Sequence, residues 1–457
     1  MSELDRPPLD ERVVIPKETK VKIIIGICLA IAIFCVGLSA FRKVPPVEAP
    51  PITETVPEDI VIEIDNLHRA KSSWRDGAWC AVEKSSVTSI NIVPEYDGPA
   101  ESVWLVDELV FSQTPEGDVY IAVGPGLHML GSMKGAFADF ENATSITGLH
   151  LLETSAVTDM SYIFSRSKFE QIDISMWDTH NVANFAYMLY DTHYTDIVNM
   201  NNLDLSNVVD TSYMFADCTA VSNIYWENID TSHIIKMEGM FDTVGANSYK
   251  GKTVFHGKLD TTSCTNMAYM FRWARIQDLT EIVKGFDTSK VTTMKGMFEH
   301  GLNLYDLDLS TWDVSQVTDM SDMFAEAICL KTLNMEGWTP SCLQYTDRMF
   351  KNCNNLRSFT QWGPAPKIKS AESMFENCYE IREINLSSFN NATLQKADRM
   401  FYCNQYIETV ICSGLTVKNP APEMFMWCIG LKAPTPYDEL NVSEKMATTT
   451  GYFTSEK

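Results

Sequence analysis

Apolar and polar residues follow two different periods within one phrase of this chain. In residues 307–324, LDLSTWDVSQVTDMSDMF, Leu307 and Leu309 alternate with polar residues, as in a half-buried strand. The later apolar residues recur at intervals of three, three and one and end on Met323 and Phe324, which predicts one or two helical turns. Neither piece could bury its apolar side alone, so the phrase needs a packing partner.

The phrase recurs along the chain, and we call the residue at its final Phe position the marker. Successive markers are separated by 24 to 30 residues. The markers are Phe137, Phe164, Leu189, Phe215, Phe241, Phe271, Phe298, Phe324, Phe350, Phe375, Phe401 and Phe425. Twelve copies with a period of about 26 residues predict a solenoid, in which each coil buries its apolar side against the next.

An apolar run near the N-terminus predicts a membrane anchor. Residues 1–22 are polar, and residues 23–41 have no charged side chain before Arg42 and Lys43. As a helix, this run would measure about 28 Å, close to the hydrocarbon thickness of a bilayer. A signal peptide has a shorter apolar core, although small residues near Gly37 leave cleavage open. Five basic residues before the span and two after it favour a cytoplasmic N-terminal tail.

Composition divides the rest of the chain into four segments. Residues 42–59 are rich in Pro and acidic side chains, which predicts an extended stalk of at most about 50 Å. Residues 60–132 lack the repeat and contain short alternating apolar runs, typical of a β-rich N-terminal cap. The solenoid is predicted over residues 133–429, followed by a C-terminal cap and tail over residues 430–457.

The charge of the chain limits its partners. It has 457 residues, with 60 acidic and 36 basic side chains, and a formal net charge of −24. Nucleic acids and anionic membrane surfaces attract basic patches, so neither is expected as a partner. The acidic residues are spread through the repeats, which is typical of a solubilising surface.

An apolar column stands twelve residues before the markers. Its members are Leu152, Trp177, Ile229, Leu259, Phe286, Trp312, Trp338 and Phe389. Stacked coils would arrange these side chains in a ladder with a spacing of about 4.8 Å. A row of exposed aromatic rings could bind sugars, but Ile and Leu occupy the same column. We therefore predict that the column belongs to the core.

A second column contains cysteines. Cys218, Cys353, Cys378 and Cys428 stand three residues after their markers, with Cys403 and Cys329 two and five residues after theirs. Disulfides between neighbouring coils stay open, whereas the absence of C-x-x-C pairs gives a zinc site little support. The pattern favours buried thiols that fill a small corner of the coil.

A third column contains aspartates at the presumed start of the helical turns, namely Asp159, Asp210, Asp319 and Asp398. Asp is a good N-cap, because its carboxylate accepts hydrogen bonds from free backbone N–H groups. Calcium would need several close oxygen ligands around a Gly-containing turn, and the sequence has no such cluster. We predict capping.

Motifs for catalysis are sparse. Residues 245–253, GANSYKGKT, resemble a phosphate-binding loop but have five residues between the glycines instead of four. His180 and His233 stand in adjacent columns two coils apart, and no H-E-x-x-H occurs. A glycosidase carboxylate pair stays open, because carboxylates are common at this acidity. We predict that the protein is not an enzyme and has no catalytic, cofactor or metal residues; its binding residues stay unassigned.

Several phrases resemble the 26-residue repeats of BspA-like leucine-rich repeat surface proteins, the bacterial and mycoplasma family called DUF285. The likeness covers about residues 115–429, with WDVSQVTDMSDMF, ETSAVTDMSYIF, NVVDTSYMFADC and VTTMKGMF as its clearest phrases. It implies a leucine-rich-repeat-like solenoid on the cell surface, associated with adhesion or other protein contacts. The chain departs from the pattern at 186–190, 245–258 and 361–367, where bulges and differences in binding are expected.

These observations predict a single-pass cell-membrane protein with its C-terminal ectodomain outside the cell. Each coil is expected to contain a short β-strand and a short helical turn. The expected function is interaction or adhesion through protein or cell-surface ligands. Two alternatives stay open: a carbohydrate-binding or hydrolytic envelope protein, and a structural envelope component that associates with itself.

Overall fold

The computed structural model describes residues 82–455, except for 97, 99, 101, 107–108, 124–130, 195, 198–199, 247–251, 390–391 and 414. The predicted tail (1–22), anchor (23–41) and stalk (42–59) therefore lie outside the described residues, as does the first part of the predicted N-terminal cap. Within the described part of the chain, no helix has both the length and the apolar character needed to cross a bilayer.

The described residues form short strands and very little helix. The strands are β1 Ser89–Val93, β2 Ser102–Val106, β3 Leu109–Gln113, β4 Asp118–Ala122, β5 Gly131–Ser132, β6 Ser145–Thr147, β7 Val157–Asp159, β8 Asp196–Ile197, β9 Asn223–Trp226, β10 Val254–Gly257, β11 Asp306–Asp308, β12 Thr332–Asn334, β13 Ser358–Phe359, β14 Glu383–Asn385, β15 Ala392–Leu394, β16 Thr409–Ile411 and β17 Leu415–Val417. The α-helix α1 spans Leu279–Lys284, and 3₁₀ turns span Lys84–Ser86, Leu149–Leu151, Met200–Asn202, Ser387–Phe389 and Glu444–Met446.

The chain forms two compact units. The first ends at Val157 and also includes Arg166–Asp178, and the second comprises Thr158–Ser165 and Thr179–Lys457. In the first unit, the strand order is β2-β3-β4-β1-β6, with β1 parallel to both β4 and β6. Because β6 lies in the repeat region yet pairs with β1, this unit extends beyond the predicted cap boundary at residue 132.

The second unit is a β-solenoid, in which equivalent strands of neighbouring coils pair in parallel. Its sheets are β8-β9-β10, β11-β12-β13, β14-β16 and β15-β17. The strand β11 begins eight residues after its marker Phe298, and α1 begins eight residues after Phe271. The helix α1 thus takes the place that a strand occupies in the next coil.

The predicted helical turns are wrong. In the coil that ends at Phe164, the backbone N–H groups of Met160, Tyr162 and Phe164 donate to carbonyls of the next coil, at 3.0, 2.9 and 3.0 Å. Residues two before and two after a marker have positive φ at every marker but the last, such as Tyr187 (59°) and Asp191 (53°). A right-handed helix needs negative φ and bonds within its own segment. Each coil instead forms a series of turns in which every second peptide group bonds to its neighbour.

The markers form the centre of the core. The rings of Phe298, Phe324 and Phe350 are stacked, with 5.6 Å between successive centroids. The apolar column is buried as well, and Trp312 and Trp338 are 3% and 1% exposed. Their indole N–H groups donate to backbone carbonyls at 3.0 and 2.8 Å, which satisfies the polar atom of each ring. The prediction that this column belongs to the core is confirmed.

The cysteines of the described residues are free thiols. Cys353, Cys378 and Cys428 are buried, and each thiol donates to the carbonyl of the preceding coil's marker, at 3.0, 3.0 and 2.9 Å. Burial raises the pKa of Cys218, in the same column, to about 11. The prediction of buried thiols is confirmed for this column, whereas Cys329 and Cys403 are partly exposed.

The predicted aspartate caps are present without a helix. The carboxylates of Asp159, Asp210 and Asp319 accept the backbone N–H two residues further along, at 2.9, 3.0 and 2.8 Å. Asp398 stands three residues before its marker instead of five, and it accepts the N–H of Glu423 in the next coil at 3.0 Å. The predicted cap is therefore confirmed for the three aspartates five residues before their markers, whose carboxylates satisfy a backbone N–H of their own turn, and it is wrong for Asp398.

The C-terminal segment covers the end of the solenoid. The N–H of Thr454 donates to Val410 of β16 at 2.8 Å, in the manner of a further strand. In the last marker turn, the N–H groups of Ala421 and Phe425 donate to Glu444 and Val442, both at 2.8 Å. The donors that a further coil would have satisfied are thus satisfied by this segment.

Candidate interaction surface

The three-residue strands β11 and β12 each present two side chains outward. The middle residues Leu307 of β11 and Leu333 of β12 are buried. Their neighbours Asp306, Asp308 and Thr332 are exposed, because successive side chains of a strand point to opposite faces. Stacking of coils therefore aligns the outward positions of consecutive repeats into two polar columns.

These columns line an open groove of about 450 Å³ on the sheet β11-β12-β13, which we call the sheet groove. It is lined by Thr280 of α1 and by residues 306–308, 332–334 and 358–360. This volume lies within the range of about 300–1,000 Å³ that is common for ligand sites. The groove exists because three consecutive coils present short polar side chains at both outward positions.

Hydrogen bonds between coils fix the polar side chains of the sheet groove. The Thr332 hydroxyl donates to Asp306 at 2.5 Å, and the Asn334 amide donates to Asp308 at 3.0 Å. The Thr360 hydroxyl donates to the Asn334 side-chain oxygen at 2.9 Å. Since these bonds join one coil to the next, the lining is held in place before a ligand arrives.

The charges of the sheet groove differ along its length. Hydrogen bonds from Ser310 lower the pKa of Asp308 below its usual 3.8, with a smaller effect from Lys284, so this carboxylate is charged at neutral pH. The exposed residues Lys331 and Arg357 directly precede Thr332 and Ser358 of the lining. Negative charge therefore lies at β11, and positive charge lies beside β12 and β13.

A tyrosine stack lies on the marker turns. The rings of Tyr162, Tyr187 and Tyr213 are stacked with centroid distances of 4.5 and 4.9 Å. A Cβ added to Gly239 would lie 2.2 Å from the Tyr213 ring, so that ring packs directly on this glycine. Residues 186–190, where the chain departs from the repeat pattern, include Tyr187. Both faces of the Tyr187 ring are covered by the other two tyrosines. Tyr187 and Tyr213 therefore present ring edges and hydroxyls instead of open ring faces.

The other sequence candidates do not form a site within the described residues. Of the phosphate-loop-like segment, residues 247–251 lie outside the described part, and Thr253 is buried and donates to the Val221 carbonyl at 2.7 Å. His180 and His233 are both exposed. No group of three His, Cys, Asp or Glu side chains that could hold a metal occurs among the residues described.

Sequence reasoning did not identify the sheet groove. The signal was present, since Asp306, Asp308, Thr332 and Asn334 are the polar partners of alternating apolar residues in the strands. From the sequence alone, such residues are simply expected to be exposed to solvent. Only the register of the paired strands shows which of them become neighbours. The parallel pairs Asp306–Thr332 and Asp308–Asn334 supply that register.

Comparisons with known proteins address the repeat region. The family described as "Mycoplasma protein of unknown function, DUF285" matches residues 131–255, 222–280, 265–384 and 334–418. None of the curated proteins matches the sequence. Among solved structures, one chain of the "Crystal structure of TLR13-ssRNA13 complex" is similar at 9% identity and a TM-score of 0.14. The similarity covers 66% of this chain and 60% of that chain, and at this TM-score it supports no functional argument.

Proposed function

This chain belongs to the DUF285 family, and on that premise we propose that it is a membrane-anchored cell-surface protein that binds protein partners through its solenoid. The observation that carries the proposal is the sheet groove, where three coils align preorganised polar side chains on one open surface. The outward surfaces of neighbouring coils add to the contact area of this sheet. Together they can supply the roughly 800 Å² that each partner buries in a standard protein interface.

The proposed topology has a cytoplasmic N-terminus, an anchor at residues 23–41 and a solenoid outside the cell. It is supported by the uncharged run of 19 residues and by the basic residues that precede it. A C-terminal epitope tag on the full chain should be accessible to an impermeant antibody on intact cells. Labelling only after permeabilisation would refute this topology.

Carbohydrate binding is the second candidate, and two observations disfavour it. The Trp residues of the apolar column are buried, and both ring faces of Tyr187 and Tyr213 are covered by neighbouring rings and by Gly239. Sugar binding by aromatic residues needs an open ring face. Trp273 and Trp427 are exposed, but they lie outside the apolar column and the tyrosine stack, and one face of Trp273 is stacked on His300 at 3.7 Å.

Adhesion can be tested with cells that display the full chain and with immobilised protein and glycan arrays. Ser358→Arg places a large side chain in the sheet groove and should reduce binding to a protein or cell-surface ligand at least about tenfold. The matched control Ser455→Arg changes an exposed serine outside the groove and should bind normally. Binding to glycans alone would contradict the proposal, and binding only to other copies of the chain would favour the structural alternative.

A further inference from the structure

We propose that the sheet groove binds a short extended peptide segment that presents a lysine or arginine side chain to Asp306 and Asp308. This inference rests on the proposed function, because it names the chemistry of the partner at the same surface. Three features support it: the free hydrogen-bonding capacity of the two carboxylates, the length of the groove and its charge distribution.

Both carboxylates can accept further hydrogen bonds. Asp306 accepts one, from the Thr332 hydroxyl, and Asp308 accepts bonds from the Ser310 N–H at 3.0 Å and from the Asn334 amide. A carboxylate offers about four acceptor sites, so each retains capacity for an ammonium or guanidinium group. Bonds to such a cation are charge-assisted and stronger than bonds between neutral groups.

The basic residues near the groove leave this capacity unused in the part of the chain that the structure describes. Lys284 lies close enough to influence Asp308 but forms no ion pair with it in the described structure. The Lys331 ammonium lies 5.6 Å from the centre of the Tyr305 ring, and Arg357 is 4.0 Å from the Glu380 carboxylate. These contacts hold both basic groups on neighbours outside the lining of the groove.

The length of the groove fits a few residues of extended chain. From β11 to β13 there are two strand spacings of about 4.8 Å, or about 10 Å in total, and an extended peptide covers that length in about three residues. The hydroxyls of Thr332 and Ser358 and the amide of Asn334 can both donate and accept hydrogen bonds. They therefore suit the alternating N–H and C=O groups of a peptide backbone.

The charge distribution of the groove determines which side chain the partner peptide presents and at which end of the groove that side chain binds. The partner's basic residue meets β11, whereas Lys331 and Arg357 lie beside β12 and β13 at the edge of the groove and disfavour a basic residue there. The net charge of −24 also attracts basic segments over longer distances, but that attraction does not depend on the groove. Any test must therefore separate the two effects.

The test measures binding of the full chain to three fluorescent pentapeptides, Thr-Thr-Lys-Thr-Thr and its Gln and Glu counterparts, all blocked at both ends. Anisotropy titrations at low salt should show binding of the lysine peptide at least about tenfold tighter than binding of the glutamine peptide. The double variant Asp306→Asn/Asp308→Asn should abolish this preference. Asn keeps an acceptor oxygen, so the bonds from Thr332, Ser310 and Asn334 are retained.

The matched control is Glu227→Gln/Glu439→Gln, which removes the same number of charges at exposed positions outside the groove. It should keep the preference for lysine. Equal weakening in both double variants would overturn the proposal in favour of general attraction to the acidic surface, and equal affinity for the lysine and glutamine peptides would also overturn it. If Ser358→Arg still weakens the binding of chain-displaying cells to an arrayed protein while the lysine and glutamine peptides bind equally, the proposed function stands and this inference fails.

Discussion

Removal of one marker ring should destabilise its own coil and the two neighbouring coils. Phe324 is fully buried, and its ring stacks on Phe298 and Phe350 at 5.6 Å, with interplanar angles of 10° and 5°. Phe324→Leu removes both stacks, each worth about 0.5–1.5 kcal/mol beyond its buried area, so the cost should be about 1–3 kcal/mol. Phe324→Ala also leaves a cavity and should cost about 3–5 kcal/mol. Leu189 shows that the column accepts leucine, so Leu is the conservative variant.

Native-state hydrogen exchange can locate the loss. The N–H groups of Phe298 and Phe324 donate to Met323 and Met349 of the next coil, both at 2.9 Å, and should exchange faster in either variant. A loss of about 3 kcal/mol corresponds to roughly a hundredfold faster exchange where local opening and reclosing are fast relative to exchange, so that the rate reports the opening equilibrium. The N–H of Phe215 makes the same kind of bond four coils away and should change little, because each repeat contacts only its neighbours.

Two results would refute this reasoning. If Phe324→Leu exchanges and unfolds like the parent chain, ring stacking between coils contributes nothing beyond burial. If Phe215 gains as much exchange as Phe298, the solenoid opens as a single cooperative unit and nearest-neighbour coupling is wrong. Chemical denaturation of both variants provides the total cost that the exchange data should match.

Three further predictions concern the turns between strands. Gly239→Ala should lower stability by about 1–3 kcal/mol in thermal unfolding, since φ is +56° and the new methyl would collide with Tyr213; an unchanged Tm would contradict this. In urea titrations, Cys378→Ala should lower the free energy of unfolding by about 1 kcal/mol more than Cys378→Ser, because only Ser keeps a donor for the Phe350 carbonyl. Equal losses in the two variants would count against that hydrogen bond. Hydrogen bonds from Ser289 lower the pKa of Asp287 in the folded protein below 3.8, its ordinary value in the unfolded chain. The carboxylate therefore stabilises the fold at pH values above 3.8, and this stabilisation is lost as the pH falls through the lower pKa of the folded state. Asp287→Asn should therefore reduce the loss of stability measured from about pH 5 downwards, and an identical pH profile would exclude this role.

Periodicity in the sequence was sufficient to predict the solenoid architecture and the residues of its core. The spacing of the markers predicted the solenoid, and the mixture of Trp, Phe, Ile and Leu in one column predicted its burial, both of which are confirmed. The resemblance to the DUF285 repeats is confirmed by the family matches over residues 131–418. These predictions succeed because burial requires an apolar side chain at every equivalent position. The same apolar pattern therefore recurs in each repeat of the sequence.

The path of the backbone in the turns could not be predicted in the same way. The spacing of Met320, Met323 and Phe324 is that of a helix, yet their turn contains Asp322 at φ 60° and bonds to the next coil. The same apolar spacing fits both conformations. Only the neighbouring coil, which supplies carbonyls for alternate N–H groups, decides between them.

The candidate site depended even more on the tertiary structure. By itself the sequence determined that Asp306, Asp308, Thr332 and Asn334 are polar, and it predicted a strand where Asp306 and Asp308 alternate with Leu307 and Leu309. Stacking brings residues 26 positions apart into contact, and it decided that these four form one hydrogen-bonded lining beside α1. A core position is constrained in every repeat and so leaves a repeated pattern. An outward position is constrained only by its neighbours in adjacent coils, and those neighbours exist only once the chain has folded.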